Sequence, residues 1–182
     1  MVDVVLVALA ESDCERWHAG WLAQPVNAVS SLAFVVVGAW LLLGARRVSA
    51  GRAGLIAGGV AMVGTGVGSL AYHGPQPGWA HVAHDGSALT LALLVAGRTI
   101  WQLVMPGTRR LALGAWRSVL PWAALAVTTY VAGRRGSPLC HPASMLQPHA
   151  VWHGLCAVTI GGLFAPSLRR HRIERAEAPV GG

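Results

Sequence analysis

The chain has no lysine: all 14 of its Lys/Arg positions are arginine. Acids are scarcer, seven in 182 residues, and Asp85 is the only one between Glu15 and Glu174. Without lysine, the glycine run Gly64, Gly66, Gly68 cannot complete a phosphate-binding loop, and Gly64-x3-Gly68 is expected instead to let a neighbouring helix approach the backbone. Charged residues make up 12% and hydrophobic ones 54%, a balance too apolar for an ordinary soluble domain. Internal repeats and low-complexity segments are also missing. The first ten residues are apolar but lack the basic start and small-residue cleavage site of a signal peptide, and are expected to form an interfacial or partly ordered lead.

What is present is a set of long uncharged runs. A bilayer core about 30 Å thick needs about 20 residues of helix. Residues 24–45 and 53–72 hold no charge, 79–96 carry only Asp85 with His81 and His84, and 145–168 are uncharged apart from histidine. Residues 119–133 make a shorter run that extends back past Arg117. The expected fold is all-α, a polytopic bundle of five spanning helices. Its organisation is an N-terminal segment at 1–23, a membrane bundle at 24–168 and a basic tail at 169–182, with 176–182 disordered.

A net charge of +7 invites a nucleic-acid reading, and the placement of the arginines argues against it. Arg46, Arg47 and Arg52 follow the first span, Arg109, Arg110 and Arg117 lie between the third and fourth, and Arg169, Arg170, Arg172 and Arg175 follow the fifth. The other face has only Arg16, Arg134 and Arg135. Arginines in short connections mark the cytoplasmic side, so the N-terminus is expected outside and the C-terminus inside, which an odd number of spans requires. The tail arginines read as a solvated flank, with specific binding of anionic lipid as the alternative. Arginine without lysine is the composition of a GC-rich bacterial genome, hence a bacterial cell membrane.

Helix parity then gathers the polar residues. His73 ends the second span, Asp85 opens the third, and His149 and His153 open the fifth, all at the outer end. Ser69 and His73 are four apart, as are His149 and His153, so each pair shares a helix face. An aspartate at mid-bilayer depth costs about 2.5–3.5 kcal/mol on a translocon scale, which makes a retained one a functional residue by default. Three histidines from two helices match the ligand set of a catalytic zinc, with the fourth position left to water. His81 and His84 are either hydrogen-bonding supports of that site or residues on its entry path. His18, His141 and His171 read as headgroup-boundary histidines.

This pattern, Ser69-x3-His73, Asp85 and His149-x3-His153 in that order, resembles a membrane hydrolase superfamily that includes the alkaline ceramidases, the progestin and adipoQ receptors and the Per1-like proteins. The ceramidase branch is the most similar. Asp13-Cys14-Glu15, then Gln24-Pro25-Val26-Asn27 with Ser30 and Ser31, looks like its N-terminal segment and first helix, and Gln147-x-His149-x3-His153 looks like its last. The chain departs from that pattern in having five spans where seven are usual, glutamine at Gln24 where an acid is usual, and no tryptophan beside the cysteine.

The resemblance implies Zn²⁺ on His73, His149 and His153, Asp85 as general base, Ser69 as oxyanion support, and hydrolysis of a ceramide-like N-acyl lipid from the outer leaflet to a fatty acid and an amine. It also admits Ca²⁺ at Asp13 and Glu15. A cysteine pair in similar places suggests a disulfide between Cys14 and Cys140, both on the outer face by topology, where an oxidising exterior permits it; two free thiols are the alternative. Two other functions stay open, a receptor or sensor that keeps the zinc without turnover and a haem-binding electron carrier. Oligomeric state is not legible.

Overall fold

The computed structural model describes the backbone of residues 13–176 and the side chains of 13–168. The apolar lead, the tail beyond Ala176 and the side chains of the basic flank lie outside the described residues. The helices are α1 (Pro25–Ser30), α2 (Leu32–Ala45), α3 (Arg52–His73), α4 (Ala80–Val104), α5 (Arg109–Ala132) and α6 (Pro148–Ala176). Because α1 and α2 run on as one segment, five stretches are long and apolar enough to cross a membrane. Among the described residues there is no strand, only an isolated bridge between Asp13 and Arg134.

Local chemistry explains the less regular points. Pro25 opens α1, where its missing N–H costs nothing. The cap of that helix comes from afar: the Glu15 carboxylate accepts the backbone N–H of Val26 at 2.7 Å and of Asn27 at 2.8 Å. Ser30 and Ser31 turn their hydroxyls back on the Asn27 carbonyl at 2.9 and 2.8 Å, a bonding mode that disturbs helices and coincides with the break between α1 and α2. The fourth span starts at Arg109, ten residues ahead of the run at 119–133. Arg109, Arg110 and Arg117 are exposed, so long stems can carry their charges from the helix end to the water.

The packing order is α5 on α6, α6 on α2, α2 on α3 and α3 on α4, with α4 touching α5 much less. A core of Phe34, Leu41, Leu55, Met62, Leu91 and Phe164 fills the middle. Glycine permits the α3–α4 approach, though not as Gly64-x3-Gly68 implied. A Cβ on Gly68 would stand 2.8 Å from the Ala83 carbonyl oxygen, whereas Gly64 faces open space and Gly66 closes on α2 instead.

Residues 13–24 lie across the end of the bundle that carries the histidines. Cys14 N–H donates to the Gly133 carbonyl at 2.8 Å, Arg16 to Pro142 at 2.9 Å, and Gln24 to His73 at 2.7 Å. The Cys14–Cys140 disulfide is formed, with the two Cα atoms 5.4 Å apart and 126 residues between them in sequence. It ties the N-terminal segment to the loop that leads into α6. Cys140→Ser is expected to lower stability by about 2–4 kcal/mol, read as a lower thermal midpoint of the purified protein and faster proteolysis ahead of Pro25. An unchanged midpoint would mean that the bridge is idle.

Candidate metal centre

The end of α3 and the first turns of α6 bring three imidazoles together. His73 and His153 are fully buried and His149 nearly so. One ring nitrogen from each lies within 4.8 Å of the others, close enough to share a single ion. His149 reaches this position because α6 starts against the loop after α5: a Cβ on Gly133 would stand 2.7 Å from the His149 backbone nitrogen, so only glycine fits there without displacing α6.

The hydrogen bonds around the rings point their remaining lone pairs inward. Gln24 donates its amide N–H to the Glu15 carbonyl at 3.1 Å, which turns its Oε1 toward His73 Nδ1, 2.7 Å away. Nδ1 therefore carries the hydrogen and donates it, and Nε2, which is buried without a partner, keeps a lone pair. With the Ser30 hydroxyl hydrogen on the Asn27 carbonyl, Ser30 Oγ accepts from His153 Nδ1 at 2.8 Å. His149 Nδ1 lies 3.3 Å from Asp13 Oδ1, out of line for a hydrogen bond, and both its ring nitrogens are unpartnered. A carboxylate or amide behind a histidine sets which nitrogen is free for a metal.

Ser69 completes the group. Its Oγ is 2.8 Å from Ser31 Oγ and 3.4 Å from His153 Nε2. When the hydroxyl hydrogens run from Ser69 to Ser31 and on to the Asn27 carbonyl, none is left between Ser69 and His153. Buried lone pairs then face one another with no hydrogen between them, an arrangement costly in an apolar interior and satisfied by a cation. The chemistry of the donor set thus fits a metal ion, and imidazole nitrogens suit zinc, copper, iron or nickel.

Asp85 stands differently from the sequence-based expectation. Its side chain is 57% exposed and pairs with His84 Nδ1 at 2.8 Å and with His81 Nε2 at 3.4 Å; these are its hydrogen-bond and ion-pair partners among the described residues. It is His84 that adjoins the three histidines, stacked on Tyr72 at 4.6 Å between ring centroids and edge-on to His73 at 5.9 Å. His81 packs more loosely on Tyr72 at 5.8 Å.

The two N-terminal acids are both buried and both engaged. Glu15 has each oxygen on a backbone N–H of α1. Asp13 accepts from Arg134 Nη1 at 3.1 Å and lies 4.0 Å from His73 Nδ1. Burial pushes the Asp13 carboxyl up to about 6 against the opposing pull of Arg134, and burial likewise raises Glu15. A guanidinium on Asp13 opposes a second cation at that place, so the pair as arranged does not fit calcium.

Sequence reasoning passed over Gln24 and Ser30 as supports of the histidines and assigned Asp13 elsewhere. The signal open to it was the cluster of polar residues at the mouth of an otherwise uncharged span. Ser30→Ala removes the acceptor for His153 Nδ1 and is expected to weaken metal binding about 10–100-fold, measured by competition with a chromophoric chelator; unchanged affinity would remove Ser30 from the site.

Comparison of the chain with protein-family models, with curated proteins and with solved structures returns no match.

Proposed function

We propose that the protein is a zinc-dependent hydrolase of a lipid amide, and that the likeness of its site residues to those of the alkaline ceramidases reflects a shared chemistry. The observation that carries this reading is the buried group His73, His149 and His153, three imidazoles and no thiolate within one ion's reach at an end of a membrane bundle. Cys14 and Cys140 are consumed in the disulfide and Cys156 stands apart, so the donor set is all nitrogen, as in a site that keeps one position open for catalysis.

When bound there, zinc supplies Lewis acidity toward a carbonyl oxygen and acidifies water to a pKa of about 7. The chain's own residues do the rest. Gln24 and Ser30 hold the rings of His73 and His153 in one tautomer, and the Asp13 carboxylate lies beside His149 Nδ1. His84, backed by the Asp85 carboxylate at 2.8 Å, is the group beside the histidines able to take a proton from water and return it to the leaving amine. In this reading Asp85 acts through His84 rather than directly. Ser69 can turn its hydroxyl toward the oxygen that gains charge as the amide is attacked. α4 and α5 touch only sparsely, and entry of a lipid from the side between them is the route this reading requires.

The substrate fitting this entry has an amide close to a headgroup and an apolar acyl chain, a ceramide-like N-acyl lipid. On this reading the site faces the outer leaflet, which the arginine distribution supports. Incubating purified, zinc-loaded protein with a panel of N-acyl lipids and following products by mass spectrometry tests the proposal. Release of fatty acid and free amine, lost on chelation and restored by zinc, is expected. Stoichiometric metal with no turnover on any amide would make the protein a sensor instead.

A further inference from the structure

Arg98 lies inside a membrane-spanning helix, and among the described residues no acid answers it. It sits on α4 six residues before Val104, about 9 Å from the helix end at 1.5 Å rise per residue. An arginine at that depth ordinarily runs its stem outward and leaves the charge in water. Here the guanidinium turns into the protein. Nη2 donates to Ser167 Oγ on α6 at 2.9 Å, Cζ stands 4.6 Å over the Phe164 ring, and Nε is buried without a partner. Of the carboxylates whose side chains are described, Asp13, Glu15 and Asp85 all belong to the histidine end, the opposite end of the bundle.

Beside it is a cavity of about 250 Å³, lined among others by Arg98, Trp101, Gln102, Thr108, Leu163 and Ser167. Its polar groups are hydrogen-bond donors or can act as donors: the guanidinium, an amide and two hydroxyls. The indole of Trp101 and the side chain of Leu163 supply an apolar edge. The cavity opens where α2–α3 and α4–α5 are connected, since Ala50, Gly51 and Thr108 also reach it, and those connections carry Arg46, Arg47, Arg52, Arg109 and Arg110. A basic pocket between helices at an arginine-rich membrane face suits an anionic headgroup, and a guanidinium fork suits the oxygens of a phosphate. The volume is below that of a typical small-molecule pocket, enough for a headgroup while the acyl chains stay in the bilayer.

We propose that this cavity binds the phosphate group of an anionic membrane lipid, with Arg98 as the fork that receives it. The site is separate from the metal centre and does not rest on hydrolysis. Phosphatidylglycerol and phosphatidylcholine share a phosphate and differ in net charge, so the test is native mass spectrometry of the purified protein with each. Wild type is expected to retain phosphatidylglycerol about tenfold better, because the choline cation of phosphatidylcholine offsets the attraction of its phosphate to the guanidinium. Arg98→Gln should bring the two lipids level, and Arg109→Gln, at an exposed position, should leave the preference intact. Helical circular dichroism and an intact Cys14–Cys140 bridge report that each variant is folded. Should Arg98→Gln lose its fold, Ser167→Ala carries the same test with a smaller drop, about threefold. Equal retention of both lipids by wild type, or a preference untouched by Arg98→Gln and Ser167→Ala, would overturn the proposal. Displacement of phosphatidylglycerol by millimolar inorganic phosphate would overturn the lipid source and assign the cavity to a soluble anion.

Discussion

His153→Ala protein is expected to purify with less than about a tenth of the zinc that wild type carries, because losing a ligand should weaken binding at least as much as losing a residue that supports one, itself about 10–100-fold. Wild type should hold about one ion per chain, the number that a single three-nitrogen site accepts. The variant keeps the helix, since alanine is the best helix former, and the Cys14–Cys140 bridge does not involve the substituted residue. Elemental analysis of both proteins, purified side by side without chelator, checks it. Equal occupancy in the two would remove His153 from the ligand set.

Asp85→Asn is expected to keep the zinc and lose hydrolysis by about 10²–10⁴-fold, the usual contribution of a positioned general base. An asparagine in that place can neither carry charge nor strengthen His84 as a base. His84→Gln separates the two ways in which Asp85 can act. If Asp85 works through His84, the two single variants and the double variant should show nearly the same loss, since residues acting as a unit are not additive. If Asp85 takes the proton itself, His84→Gln should cost little. Full activity in Asp85→Asn would end the assignment of either residue to proton transfer. Turnover is followed with zinc content measured on the same samples, so that a loss of metal is not taken for a loss of base.

The membrane bundle was legible because its signal is carried by long uncharged runs, and five of them survive as spans. The convergence of His73, His149 and His153 was legible for a related reason. Helix parity puts the end of one span and the start of another at the same membrane face, and four-residue spacing fixes which side chains share a side. What escaped was contact made only by tertiary packing. Gln24 and Ser30 stand 49 and 123 residues from the histidines they support, and no periodicity links such positions. Glu15 reads as a loose acid in the sequence, yet it caps a helix that starts ten residues later, because residues 13–24 fold back over the bundle. Asp85 was placed at the right end of α4. Its carboxylate pairs with His81 and His84, one helical turn and one residue behind it, a choice between neighbours that spacing alone leaves open. The shortened fourth run misled through its arginines: Arg110 and Arg117 look like the end of a span and lie within α5, on exposed positions where long stems reach the water.

The central claim, that these residues hydrolyse a lipid amide, is tested most directly by running the reaction in ¹⁸O-labelled water with zinc-loaded protein and an N-acyl lipid. Hydrolysis breaks the C–N bond, delivers one oxygen from water to the acyl carbon and leaves the nitrogen with the amine. Fatty acid carrying one ¹⁸O per molecule released is expected, in step with free amine, and none from His153→Ala. Recovery of the lipid intact, or of fatty acid at the same rate from His153→Ala as from wild type, would contradict it.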